Sequence, residues 1–229
     1  MRTELRRVYV WELPVRVYHW VNALCIVVLG VTGFMIGRPI TLAGPTQEAS
    51  FGYFFGWVRF IHFGAAFVFF FNFLARIYWG FVGNQFARWD NFLPLSRRKL
   101  AEQINEAIDV IRIEVMQAKI RPVQSIGHNS LASGTYFATF LVFLFQSATG
   151  FALYAGTSDF WLPNLFTWVV PLMGGDFAVR QWHHVAMWFF VVFAMVHVYL
   201  VFYHDYVEGR GVTSSMVGGW KFIERKTLW

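Results

Sequence analysis

Apolar residues dominate four stretches of the chain, Tyr18–Gly37, Phe60–Val82, Leu131–Tyr154 and Trp182–Tyr203, and polar positions within them are sparse. Each approaches the ~20 residues a helix needs to cross ~30 Å of hydrocarbon, so the pattern predicts four transmembrane helices. Between the second and third the pattern changes. "RRKLAEQINEAIDVIRIEVMQAK" sets Leu100, Ile104, Ala107, Ile111 and Val115 at steps of three or four with charges between them, which predicts an amphipathic helix. It is expected in the inner interface, the alternative being a solvated helix with one face on the bundle. The predicted architecture is all-α: an integral membrane four-helix bundle with an amphipathic cytoplasmic surface helix between spans two and three, forming a single domain over residues 1–229.

Composition agrees, with 57% of the 229 residues hydrophobic, 21% aromatic and only 14% charged, unlike an average soluble domain. The net charge of +6 lies beside the apolar runs rather than on an aromatic-interleaved surface, which argues for topology and against nucleic acid. Arg2, Arg6, Arg7 and Arg16 precede span one, and Arg88, Arg97, Arg98, Lys99, Arg112, Lys119 and Arg121 fall between spans two and three. The other connections are poor in Lys and Arg, so the middle connection and both termini are expected to be cytoplasmic, in the cell inner membrane. The basic N-terminal segment lacks a small-residue cleavage pattern and is expected to lead into a retained helix. Cys25 is the only cysteine, which excludes an internal disulfide, a four-thiolate iron–sulfur site and a C-x-x-C-H covalent haem site.

Histidines interrupt these runs. His183 and His197 are fourteen residues apart on span four, about 21 Å of helical rise and within roughly 40° of one face. His19 opens span one on the inner side and His62 opens span two on the outer side. Alternating span direction then pairs His62 with His183 at the outer level and His19 with His197 at the inner level. Bundles build cofactor sites from facing helices in this way. A histidine pair can also hydrogen-bond, relay protons or bind zinc, and a single intramembrane histidine is more often a satisfied polar residue than a ligand. Zinc favours four ligands, and neither level offers a carboxylate or thiolate to complete the set. Two imidazoles suffice for the two faces of a non-covalent, b-type haem, giving two haem b sites. His184 and His204 are expected not to be ligands.

Arg76 lies fourteen residues after His62 and shares its face, at the inner level, where it either meets a haem propionate or reaches toward the interface. His128 and Asn129, just before span three, form either a capping loop or the polar edge of a quinone pocket. An internal echo links "VTGFMIG" near the end of span one with "ATGFALYAG" near the end of span three. Gly33 and Gly150 then fall at similar depth, where they allow close helix packing or room for a flat cofactor. The connections Arg38–Arg59 and Ala155–Gln181, with Trp57, Phe160, Trp161 and Trp168, read as a partner surface or as an interfacial belt.

"RVYHWVNALCIVVLGVTG", "IHFGAAFVFFFNFLARIYWGFVGN", "GHNSLA", "TGFALY" and "WHHVAMWFFVVFAMVHVY", in that order, resemble the b-type cytochrome subunit of membrane-bound nickel-iron uptake hydrogenases over nearly the whole chain. The resemblance implies two bis-histidine haems b with His19, His62, His183 and His197 at the ligand positions. It implies electrons arriving from the hydrogenase small subunit, with hydrogen splitting in partner subunits, and leaving to quinone on the cytoplasmic side. "GHN" matches a segment tied to the quinone site. The C-terminal "GWKFIERKTLW" has no counterpart role beyond surface anchoring. The readings that compete are a related cytochrome b of another dehydrogenase, such as the gamma subunit of formate dehydrogenase, a structural membrane anchor, and a proton-conducting transporter.

Overall fold

The structure is a computed structural model that describes residues 5–38, 53–89, 130–208 and 211–224, together with 101, 104, 105 and 108. In chain order the elements are β1 (Leu5–Tyr9), α1 (Leu13–Gly37), α2 (Phe54–Val82), α3 (Ser130–Ala155), α4 (Trp161–Asn164), α5 (Val169–Leu172), α6 (Asp176–Glu208), α7 (Val212–Gly218) and β2 (Trp220–Glu224). Four of these helices are long and apolar enough to cross a membrane. The amphipathic helix expected between spans two and three falls largely outside the described residues, as do His128 and Asn129.

Three of the four helices begin five or six residues before the expected spans, at Leu13, Phe54 and Asp176 rather than Tyr18, Phe60 and Trp182. The added turns hold Arg16, Arg59 and Arg180. Hydrophobicity marks where hydrocarbon begins, whereas the backbone keeps its i→i−4 bonds for another turn. Pro14 sits in the first turn of α1, where a missing N–H is tolerated.

The exposed faces of these helices are apolar. On α1 the exposed positions Leu13, Val17, Trp20, Leu24, Val27, Val31 and Phe34 follow at steps of four and three, and on α6 so do Val185, Trp188, Val192, Met195, Tyr199 and Phe202. A soluble helix places such a stripe inward. Here the stripe faces outward, the arrangement a lipid solvent selects, and on α1 the polar side chains of His19, Asn22 and Thr32 are half-buried or buried, whereas His197 on α6 is exposed.

The described residues group into two compact units, each made from parts of the same four long helices. In the unit comprising 18–74 and 141–196, aromatic rings join the helices. Phe69 of α2 meets Phe143 of α3 at 4.6 Å and Phe190 of α6 at 6.2 Å, and Phe73 stacks on Phe143 at 3.8 Å between ring centres. Asn72 ties α2 to α1, its amide donating to the Tyr18 carbonyl at 3.0 Å and to Asn22 Oδ1 at 2.7 Å. The connection carrying α4 and α5 packs Val169 against Ala152 and Val179.

The other unit comprises 1–17, 75–140 and 197–229. It contains an element the hydrophobic pattern does not announce: β1 and β2 pair antiparallel, with Leu5 opposite Glu224 and Tyr9 opposite Trp220. The C-terminal segment therefore forms a strand on the N-terminal one. Around this ribbon Val10, Trp11, Val15 and Ala87 form a buried cluster. Trp11 Nε1 donates to Ser215 Oγ at 3.2 Å, Arg16 donates to the Val217 carbonyl, and Asp205 accepts from Val212 N and the Thr213 hydroxyl. Glu12 accepts from both Trp79 Nε1, at 3.0 Å, and Asn84 N, at 2.8 Å.

Candidate functional site

The site starts with two threonines inside apolar helices. A helical threonine whose own backbone is satisfied turns its hydroxyl proton to the carbonyl one turn earlier. Thr32 of α1 donates to the Val28 carbonyl at 2.6 Å, and Thr149 of α3 donates to the Phe145 carbonyl at 2.8 Å. With the proton committed, each hydroxyl oxygen has only lone pairs to offer. Thr32 Oγ1 stands 2.8 Å from His62 Nδ1, and Thr149 Oγ1 stands 2.9 Å from His183 Nδ1. Each imidazole must therefore donate from Nδ1, which leaves the lone pair of the neutral ring on Nε2. The Gln146 side-chain amide reaches the other nitrogen of the same ring, its Nε2 lying 3.1 Å from His183 Nε2.

The residue after each threonine is a glycine. A β-carbon at Gly33 would stand 3.3 Å from His62 Cε1, and one at Gly150 would stand 3.1 Å from His183 Cε1. Both distances are tighter than ordinary carbon contacts of about 3.5–4.0 Å. Each ring would have to give way by a few tenths of an ångström to admit a β-carbon, so glycine lets the rings approach α1 and α3 as closely as they do. The ring of His184, which the sequence reading sets aside, occupies the space beside Gly37 that a β-carbon would take.

His62 and His183 line one cavity of about 1370 Å³, above the usual range of about 300–1,000 Å³ for small-molecule pockets. Gly33, Gly150 and aromatic side chains such as Phe63 and Tyr154 form much of its wall, and Arg38, Arg59 and Arg180 bring three cations to it. The donor set suits a planar tetrapyrrole: two imidazoles with Nε2 lone pairs, glycine surfaces, an apolar wall and cations for carboxylates. Among the described residues no three His, Cys, Asp or Glu side chains gather as a metal-ion cage. Gln146 Oε1 is buried without a hydrogen-bond partner beside His183.

The remaining predicted residues are placed as follows. His19 is on α1 in the same unit as the cavity, and His197 is on α6 in the other unit. Arg76, only 3% exposed, donates from Nη2 to the Ala87 carbonyl at 3.0 Å, and its guanidinium lies 5.3 Å from the ring centres of both Trp89 and Tyr136. It is enclosed rather than reaching toward water. Trp57, Phe160, Trp161 and Trp168 are all exposed. Thr32, Thr149 and Gln146 are the residues sequence reasoning missed; the "VTGF" and "ATGF" echo carries the signal, one position before the glycines it drew attention to.

Residues 10–219 match the model of the family described as prokaryotic cytochrome b561. The chain is 45% identical over 221 residues to a protein of Azotobacter vinelandii named as a probable Ni/Fe-hydrogenase B-type cytochrome subunit, covering 95% of this chain and 89% of that one. A protein of the same name from Cupriavidus necator is 41% identical, covering 95% of this chain and 88% of its own. The probable Ni/Fe-hydrogenase 1 B-type cytochrome subunit of Escherichia coli K12 is 37% identical, covering 93% of this chain and 90% of its own. This chain therefore belongs to the prokaryotic cytochrome b561 family, as a multi-pass membrane protein of the Ni/Fe-hydrogenase B-type cytochrome subunits.

Proposed function

We propose that the chain is the di-haem cytochrome b subunit of a nickel-iron hydrogenase, anchoring the periplasmic small and large subunits to the inner membrane and relaying their electrons to quinone. The observation that carries this reading is the pair His62 and His183 on the wall of one cavity, each with Nδ1 on a threonine hydroxyl, which directs the Nε2 lone pair of each ring away from that contact. When bound, haem supplies a reversible one-electron iron couple. The protein positions two axial nitrogens, excludes water with aromatic rings and offers Arg38, Arg59 and Arg180 to the propionates. Gln146 reaches the same nitrogen of His183, so ligation there requires its amide to turn aside. His19 and His197 are assigned to a second haem, with Arg76 as its propionate partner, and His128 and Asn129 to the quinone site. Both termini and the middle connection are cytoplasmic in this reading.

The test is a pyridine haemochrome assay on the intact complex, followed by spectra before and after adding hydrogen. Two non-covalent b haems per chain, both reduced by hydrogen, are expected. Haems reduced only by another donor such as formate would reassign the partner, and a chain isolated with its partners but without haem would leave an anchor. His183→Ala is expected to remove one haem and abolish hydrogen-dependent quinone reduction while dye-linked hydrogenase activity persists. Unchanged haem content in that variant would refute the ligand assignment.

A further inference from the structure

We propose that Thr32 and Thr149 are a duplicated pair of positioning residues, fixing the tautomer and ring orientation of His62 and His183 and setting the electron donation of both ligands to one haem iron. The inference rests on the ligand assignment above and goes beyond it by giving the Thr-Gly echo a function. Three observations converge. Each threonine proton is already committed to its own helix, to the Val28 and Phe145 carbonyls, so each oxygen accepts from Nδ1 and excludes the tautomer protonated at Nε2. Each following glycine brings the backbone to the Cε1 edge of the same ring, so hydroxyl and glycine hold one imidazole from two sides. The device appears twice in the same order, "VTGF" on α1 against His62 of α2 and "ATGF" on α3 against His183 of α6.

Burial strengthens the argument. Thr149 is fully buried and Thr32 is 8% exposed, so water does not compete for these oxygens as it would at a surface. A ring nitrogen that donates to an outer partner makes the opposite nitrogen a more basic ligand. A more basic ligand favours ferric over ferrous iron, so the two threonines hold the potential of this haem down. An acceptor on only one side would leave the second ring free to rotate about its χ2 and to exchange tautomers.

The experiment uses the intact membrane complex with Thr32→Val, Thr149→Val and Thr149→Ser. Valine keeps the shape and removes the hydroxyl, and serine restores the hydroxyl without the methyl. Haem content, redox titration of the haem absorbance and the low-spin ferric EPR spectrum are read for each. The valine variants are expected to retain both haems, to raise the midpoint potential of one and to change that haem's g-values alone, with Thr149→Ser returning both readouts toward wild type. Loss of one haem in Thr149→Val that serine restores would equally support the hydroxyl's role. Valine variants with two haems and unaltered potentials and g-values would overturn the proposal, as would a serine variant that behaves like valine. A complex that keeps both haems in His183→Ala would instead remove the ligand assignment on which the proposal stands, so the two failures are distinguishable.

Discussion

A glycine one residue beyond a threonine decides how closely a histidine ring can approach each of two helices. At Gly150 the space beside the His183 ring is the tighter, so Gly150→Val is expected to expel the ring and lower haem content by about one per chain, whereas Gly150→Ala displaces it slightly and alters the ferric spectrum. Haem assay and EPR on the two variants check the order. Gln146→Leu makes the opposite expectation, full haem content, because its amide is not needed once His183 Nε2 is ligated. The histidines were legible in the sequence because a polar ring in a hydrocarbon span is costly and therefore conspicuous. The threonines were not, since a hydroxyl bonded to its own helix hides its polarity and leaves no trace in the hydrophobic pattern.

At the scale of elements, the existence of the four helices follows from their apolar lengths, while their starts do not. Arg16, Arg59 and Arg180 resemble boundaries in a hydropathy reading but lie within helical turns. The ribbon escaped for a different reason. "LRRVY" and "WKFIE" are five-residue strands crowded with charges, too short to show a period and meaningful only as a pair. Beside the ribbon, Glu12 concentrates two donors from distant parts of the chain, the indole of Trp79 and the backbone of Asn84. Glu12→Ala removes the acceptor of both half-buried donors, and each such hydrogen bond contributes about 0.5–1.5 kcal/mol. A clear drop in melting temperature of the detergent-solubilised protein, followed by tryptophan fluorescence, is the expected result, and an unchanged melting temperature would remove Glu12 from the framework. Trp11→Phe, which loses the bond from the indole to Ser215 Oγ and part of a buried ring, is expected to lower the melting temperature as well.

At the scale of the molecule, the four candidate spans among the described residues return the chain to its starting side, and the pairing of β1 with β2 requires that return. Reporter fusions test the orientation proposed for it. A fluorescent protein joined at either end is expected to mature in the cytoplasm, while alkaline phosphatase inserted in the connection between α3 and α6 is expected to be active. Active phosphatase at the ends would invert the topology. The ribbon also imposes an order in time. β1 precedes all four long apolar helices in the chain and β2 follows them, so β1 has no partner until the last of these helices has been synthesised. The strand pair therefore closes only after an even number of crossings: a chain that skipped one of the four helices would leave β1 and β2 on opposite faces of the bilayer, unable to meet.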